Sequence, residues 1–256
     1  MTAKDKFFRI CMKSNKEISM ISFPLYHGTS SYFLSEIATH GLGGKNIANE
    51  WGIFDFFKEV VSESNKVDDP EFKKNLQDSQ PMLDRVLGIF HNPTGFNYRY
   101  GSVYLAVNAK RATRYSMREF GSELSRISYG WYCELKKFEP SKAIELLNRY
   151  PKISELFSAV HSPIVIEIID VAIDDLATEG GLIGDNLKKE IEEFLEMKEK
   201  FGSFLDESIN GPSFEYIGLP IMKDNLRFFK VESQNKGNKS YMDSSLLIPT
   251  DINDWT

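Results

Sequence analysis

The sequence has few cysteines and lacks the spacings that build a metal or disulfide site. Its two cysteines, Cys11 and Cys133, are far apart, and neither belongs to a C-x-x-C pair or a Cys/His cluster. A disulfide framework and a structural zinc site are therefore not expected. We predict two reduced thiols that pack in the interior, and no metal.

Long hydrophobic runs are also absent. No apolar stretch approaches the roughly 18–20 residues needed to cross a bilayer. The basic N-terminal segment has neither the uninterrupted apolar core nor the cleavage site of a secretory signal. We expect a cytoplasmic protein with no membrane partner, and a secreted effector stays open as the alternative.

Positive charge is not in excess. Lys and Arg number 31 against 37 Asp and Glu, which gives a net charge of −6 over 256 residues. This balance weighs against tight, nonspecific binding to a nucleic-acid backbone, although a local basic groove remains open. The length and the 41% hydrophobic content fit one globular domain over residues 1–256.

The usual nucleotide-binding motifs are missing as well. The chain has no G-x-x-x-x-G-K-[ST] loop, no G-x-G-x-x-G fingerprint and no internal repeat. The glycine-rich segment 178–184 precedes a charged helix without a Lys-Ser/Thr pair, so we interpret it as a flexible loop. His40, His91 and His161 have no partners at metal-ligand spacing and are interpreted as surface or packing residues.

Strand and helix patterns occur in an irregular order. Pro24 places the first predicted strand at an edge or bulge, and Ser30 or Ser31 caps a helix that ends at His40-Gly41. The other helices are predicted at 109–120, from Pro140 onward, and at 187–201. The predicted strands are 21–26, 103–107, 131–138, 164–169, 214–219 and 226–231. This order predicts an α+β fold with a mixed or antiparallel sheet.

Two segments lie outside that pattern. Residues from about 46 to 97 form an inserted helical lobe whose aromatic residues, such as Trp51, Phe54, Phe56 and Phe57, we expect to be exposed beside the site and to recognise the acceptor. Deleting the lobe should then spare NAD hydrolysis. The tail from about 232 to 256 is polar and ends in a small apolar patch.

Three short segments carry the candidate chemistry. The first, residues 26–30, reads Tyr-His-Gly-Thr-Ser at the end of a strand. The second, residues 101–106, reads Gly-Ser-Val-Tyr-Leu-Ala and is followed by Ala112 and Tyr115. The third, residues 213–217, reads Ser-Phe-Glu-Tyr-Ile and leads into a late strand.

In this order the three segments resemble the His-Tyr-Glu branch of the ADP-ribosyltransferase superfamily, which includes diphtheria toxin and the poly(ADP-ribose) polymerases. The resemblance rests on motifs spread over residues 25–231. It implies a split β-sheet with surrounding helices, and NAD as co-substrate. It also implies that His27 binds a ribose hydroxyl, that Gly28 offers its backbone to the nicotinamide amide, and that Thr29 or Ser30 assists the adenosine half. The implied catalytic residues are Glu215, His27 and Tyr104; the implied NAD-binding residues are His27, Gly28, Thr29, Tyr104, Ala112 and Tyr115.

These residue types suit that chemistry. Cleaving NAD at the nicotinamide ribose builds positive charge on the sugar, as glycoside cleavage does, and the carboxylate of Glu215 would stabilise that charge. Tyr104 and Tyr115 would hold the flat, cationic leaving group between their rings. Each residue also has a plainer interpretation. His27 can cap a helix, the two tyrosines can be core, and Glu215 can be a solvated strand residue.

The resemblance leaves the acceptor open. Position 213 is Ser, where arginine-modifying relatives carry Gln or Glu, so arginine is not the expected acceptor. Transfer of a single ADP-ribose to a protein or nucleic acid is predicted, and a neutralising or regulatory partner protein is an open expectation. The alternatives are a catalytically silent NAD- or ADP-ribose-binding module and a nucleic-acid-directed toxin of defence type.

Overall fold

The computed structural model of the chain describes residues 8–13, 16–77, 102–202, 211–232 and 247–252. The strands are β1 (Phe8–Lys13), β2 (Lys16–Ile21), β3 (Leu25–Ser30), β4 (Val103–Ala106), β5 (Pro163–Ile168), β6 (Leu176–Thr178), β7 (Ser213–Tyr216), β8 (Leu226–Val231) and β9 (Leu247–Thr250). The helices are α1 (Leu34–His40), α2 (Ile47–Glu50), α3 (Ile53–Ser64), α4 (Pro70–Gln77), α5 (Ala109–Ser116), α6 (Glu123–Phe138), α7 (Pro140–Asn148), α8 (Pro151–Ser158) and α9 (Asp185–Phe201).

Seven strands form one antiparallel sheet in the order β6-β7-β4-β3-β5-β8-β9, and β1 pairs with β2 in a separate hairpin. Helices pack around the sheet and strands do not alternate regularly with them, so the predicted α+β class is confirmed. None of the helices within the described ranges is long and apolar enough to span a membrane.

The middle of the sheet is weakly joined. Strands β3 and β4 share only the pair Tyr26↔Ala106. On its other side, β3 pairs with β5 along its whole length, from Leu25↔Ile168 to Ser30↔Pro163. We call the β3–β4 contact the seam. It divides the sheet into one part with β3, β5, β8 and β9 and another with β4, β7 and β6.

The first strand lies later in the chain than predicted. We expected a strand over 21–26 at an edge or bulge, but β2 ends at Ile21 and β3 begins at Leu25, in the middle of the sheet. Pro24 lies in the bend between them, where no strand pairing requires a backbone N–H donor. The motif at 26–30 is therefore the strand itself, while the predicted strands at 164–169 and 226–231 agree with β5 and β8 to within a residue.

One predicted strand is wrong. Residues 131–138 are the second half of α6, which Ser122 caps by accepting a hydrogen bond from the Ser125 N–H. The buried residues Leu124, Ile127, Trp131 and Leu135 recur at helical spacing, and the period appears only when the pattern is read from position 124. The shorter window that begins at Trp131 fits the alternation of a strand equally well, and this explains why residues 131–138 were predicted as a strand.

The segment 46–97 is helical as far as it is described, through α2, α3 and α4; residues 78–97 lie outside the described ranges. The exposure expected for its aromatic residues is wrong for Phe56 and Phe57, which are both 0% exposed. The Phe57 ring meets Trp131 of α6 edge-on at 6.1 Å, and both belong to the main hydrophobic core. Trp51 and Phe54 are half-buried against the same core.

Candidate active site

A cavity of about 320 Å³ lies at the seam of the sheet, and α5 and the start of α6 close it. Its volume is near the lower end of the range for small-molecule sites. Six of the seven predicted site residues line it, and they come from β3, β4 and α5: His27, Gly28, Thr29, Tyr104, Ala112 and Tyr115. Residues that are distant in the sequence therefore share one cavity.

His27 forms a hydrogen bond across the seam, from β3 to β4. Its Nδ1 lies 3.0 Å from the backbone oxygen of Tyr104, and because a carbonyl only accepts, Nδ1 is the donor. Burial lowers the pKa of His27 below its usual 6.5, and the hydrogen bond to Tyr104 offsets only part of that effect. In the neutral ring Nε2 is then an acceptor, which suits a ligand hydroxyl. A helix-capping role does not apply, since Ser30 caps the following turn.

Gly28 is required by packing. A Cβ placed on it would lie 2.0 Å from the backbone oxygen of Ala112 and 2.7 Å from the backbone nitrogen of Ser116. The backbone of α5 therefore crosses β3 in contact with this glycine. The reason predicted from the sequence was room for a flat ligand, whereas the space beside its Cα is filled by the helix.

This contact gives a testable difference between two glycines. Gly28→Ala should lower the free energy of unfolding by about 1–3 kcal/mol, because the backbone of α5 must move. Gly130, inside α6, is the matched control because a Cβ there meets nothing within 4 Å. Gly130→Ala should raise the stability by about 0.5–1 kcal/mol. Urea denaturation of both variants measures the difference, and equal values would contradict the close approach of α5.

Ser30 does not take part in the cavity. Its Oγ lies 2.9 Å from Nδ1 of His161 and accepts a hydrogen bond from the Tyr32 N–H. The Nε2 of His161 lies 2.9 Å from the Leu156 carbonyl oxygen. Of the pair suggested for the adenosine half, Thr29 lines the cavity and Ser30 does not. The packing interpretation of His161 agrees with this arrangement.

Tyr115 presents its ring beside a cation. The guanidinium carbon of Arg118 lies 4.5 Å from the centroid of that ring, and Arg118 Nη1 also pairs with Glu123 Oε1 at 2.8 Å. Arg118 therefore covers one face of Tyr115, and a flat ligand would stack on the other. Both Tyr104 and Tyr115 are half-buried, so neither is simply core.

Glu215 lies beside the cavity and is not among the residues that line it. It pairs with Tyr104 across β7 and β4, so the two side chains extend from the same face of the sheet. Glu215 is 6% exposed, which rules out the solvated interpretation. Ser102, which does line the cavity, donates a hydrogen bond of 2.5 Å from its Oγ to Glu215 Oε1. The carboxylate thus reaches the cavity through one hydroxyl.

Several polar residues that line the cavity were not predicted from the sequence, among them Ser102, Arg111 and Glu179. Ser102 lies two residues before Tyr104, on the same side of the chain, and Arg111 lies one helical turn before Tyr115. Either spacing could have indicated that the residue shares a face with a predicted site residue. Glu179 lies in the segment that we interpreted as a flexible loop. Its Oε1 instead pairs with Arg111 Nη2 at 3.1 Å, and Arg111 also donates to the Gly211 carbonyl.

No group of three or more His, Cys, Asp or Glu side chains in the described part of the chain is arranged to bind a metal ion. Comparison of the chain with protein-family models, curated proteins and solved structures found no match. The functional argument therefore depends on the residues of the cavity.

Proposed function

We propose that this protein transfers ADP-ribose from NAD to an acceptor and releases nicotinamide. The observation that carries the proposal is the shared cavity: motifs from β3, β4 and α5 line it, and Glu215 lies on the neighbouring strand beside Tyr104. One reaction gives every one of these residues a role. The ADP-ribosyltransferase-like identity of the fold belongs to the same proposal.

In this proposal the nicotinamide stacks against Tyr104 and against the face of Tyr115 that Arg118 does not cover. As the bond to the ribose lengthens, positive charge develops on the sugar, and the buried Glu215 carboxylate stabilises it from beside the cavity. The neutral His27 accepts a hydrogen bond from a ribose hydroxyl through Nε2. Ser102 connects Glu215 to the sugar, because its hydroxyl already touches the carboxylate.

A silent NAD- or ADP-ribose-binding module is the second candidate, and one observation favours it. Glu215 lies behind Ser102 and not in the wall of the cavity, so a ligand could bind without meeting the carboxylate. The enzyme stays the first candidate, because catalytic contacts often tighten only when the substrate is bound.

The experiment that separates them is incubation of the folded protein with NAD labelled in its adenine half. Release of nicotinamide supports the enzyme, and binding without release supports the module. Adding whole-cell lysate and separating the label in protein, nucleic acid and free ADP-ribose then identifies the acceptor class. Absence of both binding and release would remove both candidates.

The tyrosine pair gives a prediction for binding alone. Tyr104→Ala should weaken nicotinamide binding roughly 2- to 12-fold, because a stacked ring contributes about 0.5–1.5 kcal/mol beyond its burial. Tyr104→Phe is the matched control and should change affinity much less, because it keeps the ring. Isothermal titration of nicotinamide into each folded variant measures this. Unchanged affinity in Tyr104→Ala would remove Tyr104 from the site.

A further inference from the structure

The cavity has a second carboxylate in its wall, that of Glu179. Tyr104 and Glu179 lie on opposite sides of the strand that carries Glu215. In the sheet, β7 lies between β4 and β6, so Glu215 pairs with Tyr104 on one side and with Ala177 on the other. Glu179 follows Ala177 by two residues, just after β6 ends, and its side chain lines the cavity. The pairing of Thr178 with Phe214 brings Glu179 close to Ser213, which also lines the cavity.

The surroundings of Glu179 hold its carboxylate in place and keep it basic. Arg111 of α5 binds its Oε1 and is itself anchored to the Gly211 carbonyl. Burial raises the pKa of Glu179, and the attraction of Arg111 offsets part of the rise. Glu190 of α9 lies near Glu179: burial, together with the negative charges of Glu179 and Glu193, raises the pKa of Glu190.

Ser213 adds a second sign that this wall receives a ligand. Its hydroxyl is buried, with the residue 6% exposed, and has no hydrogen-bond partner among the described residues. A buried hydroxyl without a partner is destabilising unless a ligand or water supplies one. Ser213 and Glu179 together therefore form a polar end of the cavity.

We propose that Glu179 is the general base of the transfer: it accepts the proton of the acceptor nucleophile. This inference rests on the proposed function. The carbon–nitrogen bond between ribose and nicotinamide breaks, and nicotinamide leaves with the electron pair. A lone pair of an acceptor hydroxyl or amine forms the new bond to the same carbon, and the proton of that group moves to the Glu179 carboxylate.

The strand register places the two glutamates at separate positions on the sheet. Glu179 lies two residues beyond Ala177, the partner of Glu215, so their backbone positions lie diagonally across neighbouring strands, about 7–8 Å apart. Glycoside-cleaving enzymes likewise divide the work between two carboxyl groups, one of which activates the incoming nucleophile. Glu215 then stabilises the sugar cation, and Glu179 activates the attacking group.

Chemical rescue tests this role. Glu179→Gln keeps the size of the side chain and an oxygen for Arg111, and should slow nicotinamide release, with water as acceptor, by about 10²-fold or more. Sodium azide is an anionic nucleophile that needs no proton removed, so it should restore release in this variant and form ADP-ribosyl azide. It should restore nothing in Glu215→Gln, which lacks the group that stabilises the cation.

Glu193→Gln is the control, since it removes an exposed carboxylate of α9 that pairs with Lys189 outside the cavity, and it should keep wild-type release. Release by Glu179→Gln near the wild-type rate would overturn the inference alone. The inference would also be overturned if Glu179→Gln were slow, bound nicotinamide normally and were not accelerated by azide. Glu179→Ala is tested alongside, because its smaller side chain leaves more room for azide. Loss of nicotinamide binding in both variants would assign Glu179 a structural role instead. No release by the wild type would overturn the proposed function, and the base with it.

Discussion

Glu215→Gln is expected to slow nicotinamide release from NAD by about 10²–10³-fold while nicotinamide binding stays near normal. A preorganised group that acts on charge developing in the transition state contributes this much to rate. It contributes little to ground-state binding, because the charge is not yet formed when NAD binds. Steady-state rates and nicotinamide titrations on the same preparations measure both quantities.

Glu145→Gln is the control. Glu145 is an exposed carboxylate of α7 that pairs with Lys142 outside the cavity, and its loss should leave turnover unchanged. Ser102→Ala should fall between the two, because it removes the hydroxyl that connects Glu215 to the cavity. Normal turnover in Glu215→Gln would remove this residue from the catalytic site.

Phe56→Ala is expected to lower the free energy of unfolding by about 3–5 kcal/mol, the range for truncating a buried aromatic ring. Phe56 is 0% exposed, and its ring lies 5.4 Å from that of Tyr150, 5.7 Å from that of Phe157 and 6.0 Å from that of Tyr132. These rings belong to α6, α8 and the turn before α8, so the loss would be felt across the helical layer. Urea denaturation followed by circular dichroism measures it.

Phe54→Ala on the same helix is the control and should cost clearly less, because Phe54 is only half-buried. A cost below 1 kcal/mol for Phe56→Ala would mean that α3 is dispensable to the core. If Phe56→Ala lowers the free energy of unfolding by the expected ~3–5 kcal/mol, deleting residues 46–97 would remove part of the hydrophobic core and is expected to prevent folding. The proposed role of this segment in acceptor recognition is then better tested by substituting its exposed residues than by deletion.

Local spacing in the sequence was enough to group several of the residues that line the cavity. His27, Gly28 and Thr29 are consecutive on one strand, and Ala112 and Tyr115 lie one turn apart on one helix, so local spacing was enough to group them. The pairing of Tyr104 with Glu215 depends on which strands become neighbours, and local spacing does not show this.

The errors have a common physical origin. The second half of α6 was predicted as a strand because a short window around Trp131 fits both periods, and burial against α3 decides between them. Glu179 was assigned to a flexible loop because its glycine-rich neighbours dominate the local pattern. Its partner Arg111 is distant in the sequence, so only the fold reveals the ion pair.

The seam between β3 and β4 has a consequence for the mechanics of the molecule. One backbone pair and the His27–Tyr104 hydrogen bond join two sheet segments that are each well paired internally. A molecule lying in the cavity would contact residues of both β3 and β4, and would therefore add contacts between two strands that share a single backbone pair. Occupancy would therefore stabilise the association of the two segments of the sheet.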